Sequence, residues 1–296
     1  MTPVDVRRRQ QTPDRPEAMS LLGKPLHRPP VPEASRAKME AEAKAAFEAA
    51  QREPSAEAII WLGRRTAYLG KFRESIEVYS GGLRLYPDDP RIYRHRGHRY
   101  VTVRQLDLAI ADLQKAAGLI AGKPDEVEPD GQPNARGTPT STLHSNIWYH
   151  LALARYLRNE PAAAAEDWRR GRDAVKNPDN LVAASCWLFT ALRRAGRADD
   201  AKAVLAPIRA DLDVIENTSY HSLLLMFKGE RSAADLLVAA PEGASGSAVR
   251  YGVSAWYHGN GQVAEARKLW EKIVAGPDWP SFGYIAAEAD LARASR

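Results

Sequence analysis

The chain has 296 residues, with 42 lysines and arginines against 37 aspartates and glutamates, for a formal net charge of +5. No apolar run is long enough to cross a membrane, and with Cys186 as the one cysteine no intrachain disulfide can form. So mild a charge admits acidic partners without requiring nucleic acid. Residues 1–32 read as an extended, basic, proline-rich arm that begins with Arg7, Arg8 and Arg9 and that Leu21, Leu22 and Leu26 would pin to the folded part. No apolar segment comes after the arginines, so no signal peptide is visible. The cytoplasm is the default expectation, with export open if a leader has been removed.

Residues 33–55 are expected to cap the helical array. A single helix over 33–52 is rich in Ala, Glu, Lys and Arg, with Ser35 as a candidate cap and a narrow apolar stripe of Met39, Ala46, Phe47 and Ala50. From residue 56 a two-helix pattern begins. Ile59, Leu62 and Gly63 mark one helix, Gly70 a turn, Phe72, Ser75, Tyr79 and Leu83 a second helix, and Pro87 its end. Neither helix can bury its apolar stripe alone, and the pattern recurs at about 34 residues. The units are 56–89, 90–123, 145–181, 182–214, 215–246 and 247–280. The small residue where the two helices should cross is Ser75, Ala109, Ala164, Ala201, Ala234 and Ala266 in turn.

These marks resemble the tetratricopeptide repeat family over roughly 56–280. The resemblance implies an all-α, right-handed α-solenoid of about six helix pairs, with capping helices at 33–55 and 281–296. Two stretches interrupt the pattern. Residues 124–144, in a Pro-, Gly-, Asp- and Thr-rich stretch that starts at Gly122, form an inserted loop that either folds over the groove as a lid or stays solvated. Residues 242–247 read as a flexible break before the last unit. Ser281 is a candidate cap for a closing helix that covers the last apolar face.

The family resemblance also implies that the first helix of each unit lines a concave face. One inherited position on those helices holds Trp61, His95, His150, Trp187 and Tyr220, and the sixth unit breaks the column with Gly252. Helical spacing adds Arg64, Tyr68, His98, Tyr149 and His221, and the basic run around Arg94 borders the two histidines of the second unit. Such a surface can stack on a ligand and hydrogen-bond it with little entropy loss. Arg64, Arg94 and His98 would supply charge to it. The family's clamp for C-terminal carboxylates needs Lys and Asn where this chain has Ile60, Arg64 and His95, so chaperone-tail binding is not carried over.

The leading expectation is a non-catalytic scaffold whose groove binds a protein or peptide, acidic if the basic helix takes part. The alternative is an enzyme or small-molecule binder whose pocket lies in the same groove, roofed by the 122–144 loop, with His95, His150 and His221 converging. No nucleophile elbow, phosphate loop or zinc-protease helix motif is present, so no catalytic residue, metal or cofactor is expected. Nucleic acid and membrane are disfavoured as partners.

Overall fold

The computed structural model describes residues 15–174 and 177–295, and within them fourteen helices and one hairpin of two-residue strands. Apart from that hairpin and an isolated bridge between Val127 and Thr142, the regular structure of the described residues is all helix. It divides into two compact units, Met1–Gly122 and Lys123–Arg296. None of the described helices is long and apolar enough to cross a membrane.

In the first unit the arm is more than an extended strap. β1 (Ala18–Met19) pairs antiparallel with β2 (Pro25–Leu26), and Gly23 turns between them at φ 77°. Ala18 and Leu26 are buried. The Glu17 side chain accepts from the Arg73 backbone N–H at 3.0 Å, and its carbonyl accepts from Arg73 Nε at 2.9 Å. Leu26, one of the residues expected to pin the arm, does so. The Arg7–Arg9 run lies outside the described residues.

α1 (Glu33–Arg52) has Pro32 at its N-cap, so Ser35 sits inside the first turn and caps nothing. Its stripe is shallow: Ala50 is buried, whereas Phe47 stays exposed. α2 (Ala56–Tyr68) starts on Ser55, whose hydroxyl accepts from Ala58 N–H at 3.1 Å. α3 (Phe72–Leu85) crosses it at Gly63, where an added methyl would meet the Tyr79 ring at 2.3 Å. The Ser75 hydroxyl donates to the Gly63 carbonyl at 2.8 Å across the same crossing. α4 (Pro90–Thr102) and α5 (Leu106–Ile120) repeat the arrangement with Gly97 against Leu113.

The second unit opens with the inserted loop. Arg136 pairs with Asp213 at 2.7 Å, and both Asn134 Nδ2 and the Thr140 hydroxyl donate to Glu216. These bonds hold the loop against residues 213–216. Four pairs then run in order: α6 (Leu143–Leu157) with α7 (Pro161–Ala174), α8 (Pro178–Arg194) with α9 (Ala198–Val204), α10 (Thr218–Phe227) with α11 (Ala233–Ala239), and α12 (Gly243–Gly259) with α13 (Val263–Val274). α14 (Phe282–Ala294) closes the chain, capped by Ser281. The expected flexible break at 242–247 is instead the first turn of α12, where Gly246 lies too close to the Pro241 carbonyl for any side chain.

Five of the six crossing residues, Ser75, Ala109, Ala164, Ala201 and Ala266, are fully buried. Ala234 is exposed, because α11 has only seven residues and its one buried side chain is Leu236. Each pair turns on a left-handed residue: Gly70, Arg104, Asn159, Gly196, Gly229 and Gly261. Asn159 and Arg104 carry a Cβ in a conformation that suits glycine. Asn159→Gly is therefore expected to leave stability level or raise it by up to about 1 kcal/mol, read from urea denaturation.

The inner helices of the second unit close on themselves. α8 packs on α10 and α12, α10 on α12, α12 on α14, and α14 returns to α6. Every residue from Gly283 to Leu291 is buried, so α14 does more than cover one face. Two glycines permit the approach. A methyl on Gly252 would lie 2.4 Å from Leu223, and one on Gly283 would lie 2.4 Å from the Ser247 carbonyl. Gly252, which interrupts the ring column, is where Leu223 of α10 enters against α12.

Candidate functional site

The sequence-selected rings separate into two environments. In the first unit they lie on α2 and α4. Trp61 is half-buried, its indole N–H donates to Glu57 at 2.7 Å, and the Arg64 and Arg65 guanidiniums lie 4.5 and 5.2 Å from its ring centre. A shallow depression beside it is lined by Arg52, Glu53, Ser55, Glu57 and Arg65. Arg64 Nη2 donates to the Tyr68 hydroxyl at 3.5 Å. Arg94 and His95 are buried, with Arg94 Nη1 donating to His95 Nδ1 at 2.9 Å. His95 also stacks on Tyr79, with ring centres 5.8 Å apart. His98 is half-buried, and its Nε2 accepts from Arg99 Nη2 at 2.5 Å. A guanidinium can only donate, so each bond fixes which nitrogen of the imidazole is the acceptor.

Charge on this surface is one-sided. α2 and α4 carry six arginines and one carboxylate, Glu57. Arg65, Arg91 and Arg96 pair with Glu42, Asp89 and Asp112. Arg64, Arg94 and Arg99 also bond to Tyr68, His95 and His98. Burial lowers the Arg99 guanidinium to about 10, and the like charges of Arg94 and Arg64 push in the same direction. Burial raises the Tyr79 hydroxyl to about 12 against the pull of Arg99, Arg64 and Arg94, so it stays protonated.

In the second unit the column enters the core. Trp187 is buried between Trp168 and Tyr251, stacked at 5.6 Å on each, with the edges of Tyr156 and Tyr220 against it. His150 is buried, and its Nδ1–H donates to the Asn146 carbonyl at 2.6 Å. The ring packs edge-on against Phe282 of α14. Tyr149 and Tyr220 are half-buried, with hydroxyls 3.2 Å apart. Burial and the Tyr220 hydroxyl hold Tyr149 well above the ordinary phenol range. His221 donates from Nε2 to the Arg209 carbonyl at 2.8 Å. Closure by α14 turns what would be a groove wall into an interior.

Sequence reasoning did not select Tyr251, Asp290 or Arg293, which with Arg194 and Tyr156 make the polar knot of this interior. Asp290 accepts from Arg194 and the Tyr251 hydroxyl at 2.7 and 3.0 Å and also pairs with Arg293; Tyr251 meets Tyr156 at 2.7 Å. The available signal was Glu288 and Asp290 set among alanines in a short terminal helix. In the first unit it did not single out Arg99, which belongs to the same basic run as Arg94.

Cys186 is buried, and burial pushes its thiol up, away from the reactive thiolate. The native protein is expected to resist a thiol-reactive dye that labels Cys186 rapidly in urea. Labelling at similar rates in both states would place the thiol in solvent. Among the described residues, no group of three His, Cys, Asp or Glu side chains is placed to hold a metal ion.

No family model matches the chain, and no curated protein does. Solved structures resemble it more distantly. MamA matches at 15% identity and a TM-score of 0.45, over 67% of this chain and 96% of that one. YrrB, described as a TPR protein with an unusual peptide-binding site, also matches at 15% and 0.45, over 84% and 99%. The TPR-like repeats of a putative kinesin light chain of Podosopora anserina match at 16% and 0.44, over 82% and 98%. At such TM-scores the likenesses add no weight of their own, and the architecture rests on the hairpins. With six helix pairs among the described residues, a left-handed residue turning each, and a small buried residue at five crossings, the chain is an all-α array of helix hairpins.

Proposed function

We propose that the chain is a non-catalytic scaffold that binds an acidic segment of another protein on the α2–α4 surface of the first unit. The carrying observation is the one-sided charge of those helices, six arginines to one carboxylate, set beside a half-buried Trp61. Under this reading Trp61 and Tyr68 present ring faces, Arg64 and His98 lend charge complementarity, and Arg94 and His95 are buried on the same pair of helices. In the second unit, Tyr149, His150, Trp187, Tyr220 and His221 serve packing under this reading. Their ring contacts and main-chain hydrogen bonds support that role. No observation favours the small-molecule alternative.

The test is fluorescence anisotropy with a labelled Glu-rich peptide and a Lys-rich control. The Glu-rich peptide should bind, should weaken as salt rises, and should bind roughly tenfold less well to Arg64→Gln, the loss expected for one charge-assisted hydrogen bond. Equal binding of both peptides, or binding indifferent to Arg64→Gln, would remove this surface as the site.

A further inference from the structure

We infer that the arm exchanges between two copies of this chain, the hairpin of residues 17–26 leaving its own seat for the identical seat of the second copy. The seat is the start of α3 together with the α4–α5 turn, and it uses none of the residues proposed above for an acidic segment. Its occupant is identified by the fold, because one hairpin already sits there. Lys71, the N-cap of α3, offers no side-chain acceptor, and the Glu17 carboxylate takes that place on the Arg73 N–H. Arg73 Nε closes the contact by donating to the Glu17 carbonyl, and Arg28 Nε lies 3.8 Å from the carboxylate.

The grip is specific but shallow. Of residues 15–28, Glu17, Ala18, Ser20 and Leu26 are buried, and Met19 is 49% exposed. A cavity of about 400 Å³ lies between the hairpin and Ile76, Val103 and Gln105 of the body. Paired strands of two residues have no stability of their own, so the hairpin lets go at far less cost than unfolding the unit. What holds it out once released is the hinge, Pro29, Pro30, Val31 and Pro32. The prolines fix φ and carry no N–H, and Pro32 stands at φ −54° and ψ 131°, in the polyproline range. Such a hinge stays extended and is not wound into α1. Exchange keeps every contact between hairpin and seat. Only the hinge and the freedom lost on pairing separate the two forms, and pairing grows with concentration.

Sedimentation velocity tests the exchange with two variants of the whole chain, Glu17→Arg and Arg73→Glu. Each alone sets like charges at the seat, whether its own arm or a second copy's is bound. Mixed one to one, they restore opposite charges at both seats, but only between copies. At a concentration where the wild type pairs, each variant alone should be monomeric, and the mixture should pair about tenfold or more tightly than either. A mixture no more dimeric than its components overturns the inference. So does a wild type that is monomeric at about 1 mM, the effective concentration of a short tether. Wild-type pairing that both single variants retain overturns it as well. Far-UV circular dichroism checks each variant. If one unfolds, the wild-type dimer decides the matter: excess peptide of residues 15–28 should dissociate it, and the same peptide carrying Glu17→Arg should not. Equal effects of the two peptides would also overturn the inference.

Discussion

Replacing the buried Asp290 with alanine is expected to cost the second unit about 3 kcal/mol, because it leaves the part-buried Arg194 and Arg293 without their carboxylate. Burial alone would raise the Asp290 pKa. The charges and hydrogen bonds of Arg194 and Arg293 override it and hold the carboxyl below the usual range. A folded pKa below the unfolded value gives stability that is full above the unfolded pKa and is lost as pH falls through the folded one. Asp167 has the opposite sign. Burial outweighs Arg155 and raises it to about 6, so its contribution is full below the unfolded value and is lost as pH rises through about 6. Urea denaturation of wild type and Asp290→Ala, tracked by circular dichroism, reads the difference at neutral pH. The gap should shrink as pH falls below the ordinary carboxylate range, where the unfolded chain takes up the proton that the native carboxyl resists. A loss below about 1 kcal/mol at neutral pH would place the carboxylate in solvent.

Trp187→Ala should be at least as damaging, about 3–5 kcal/mol, because the indole fills the centre of the second unit. Trp168 and Tyr251 stack on its two sides, and Tyr156 and Tyr220 meet it edge-on. Trp61→Ala, at a half-buried position on the first unit, should cost about 1 kcal/mol or less while weakening peptide binding. The two substitutions therefore separate packing from recognition. A cheap Trp187→Ala would return that ring to a solvent-facing wall.

The helix pairs were readable because crossings demand small residues at fixed spacing. Gly63 facing Tyr79 and Gly97 facing Leu113 leave no room for alternatives. Only the fifth crossing misled, where α11 is too short to bring Ala234 inward. The ring column was readable as a position but not as an environment. Periodicity places Trp61 and Trp187 on equivalent first-helix sites, yet it does not say whether that face meets water or another helix. What decided Trp187 was Tyr251 of α12, which stacks on it, and α14 behind that ring, whose Asp290 holds Tyr251 and captures Arg194 from α8. Those contacts join residues too distant in sequence for any local window. The arm was underread for a similar reason, since its anchor, Glu17 to Arg73, spans 56 residues.

The closure of the second unit also bears on how it folds. In an open repeat array each pair meets only its neighbours, so structure can start anywhere and spread, and a pair can be lost without undoing the rest. Here Arg293 donates to the Leu157 carbonyl across 136 residues, and the last helix packs on the first. That contact forms only when nearly the whole unit is in place, which adds loop-closure entropy and raises contact order. The unit should therefore refold more slowly than a row of local hairpins would. Chains ending before Phe282 should lose their cooperative transition, and removing or duplicating an internal pair should leave the circle unable to shut.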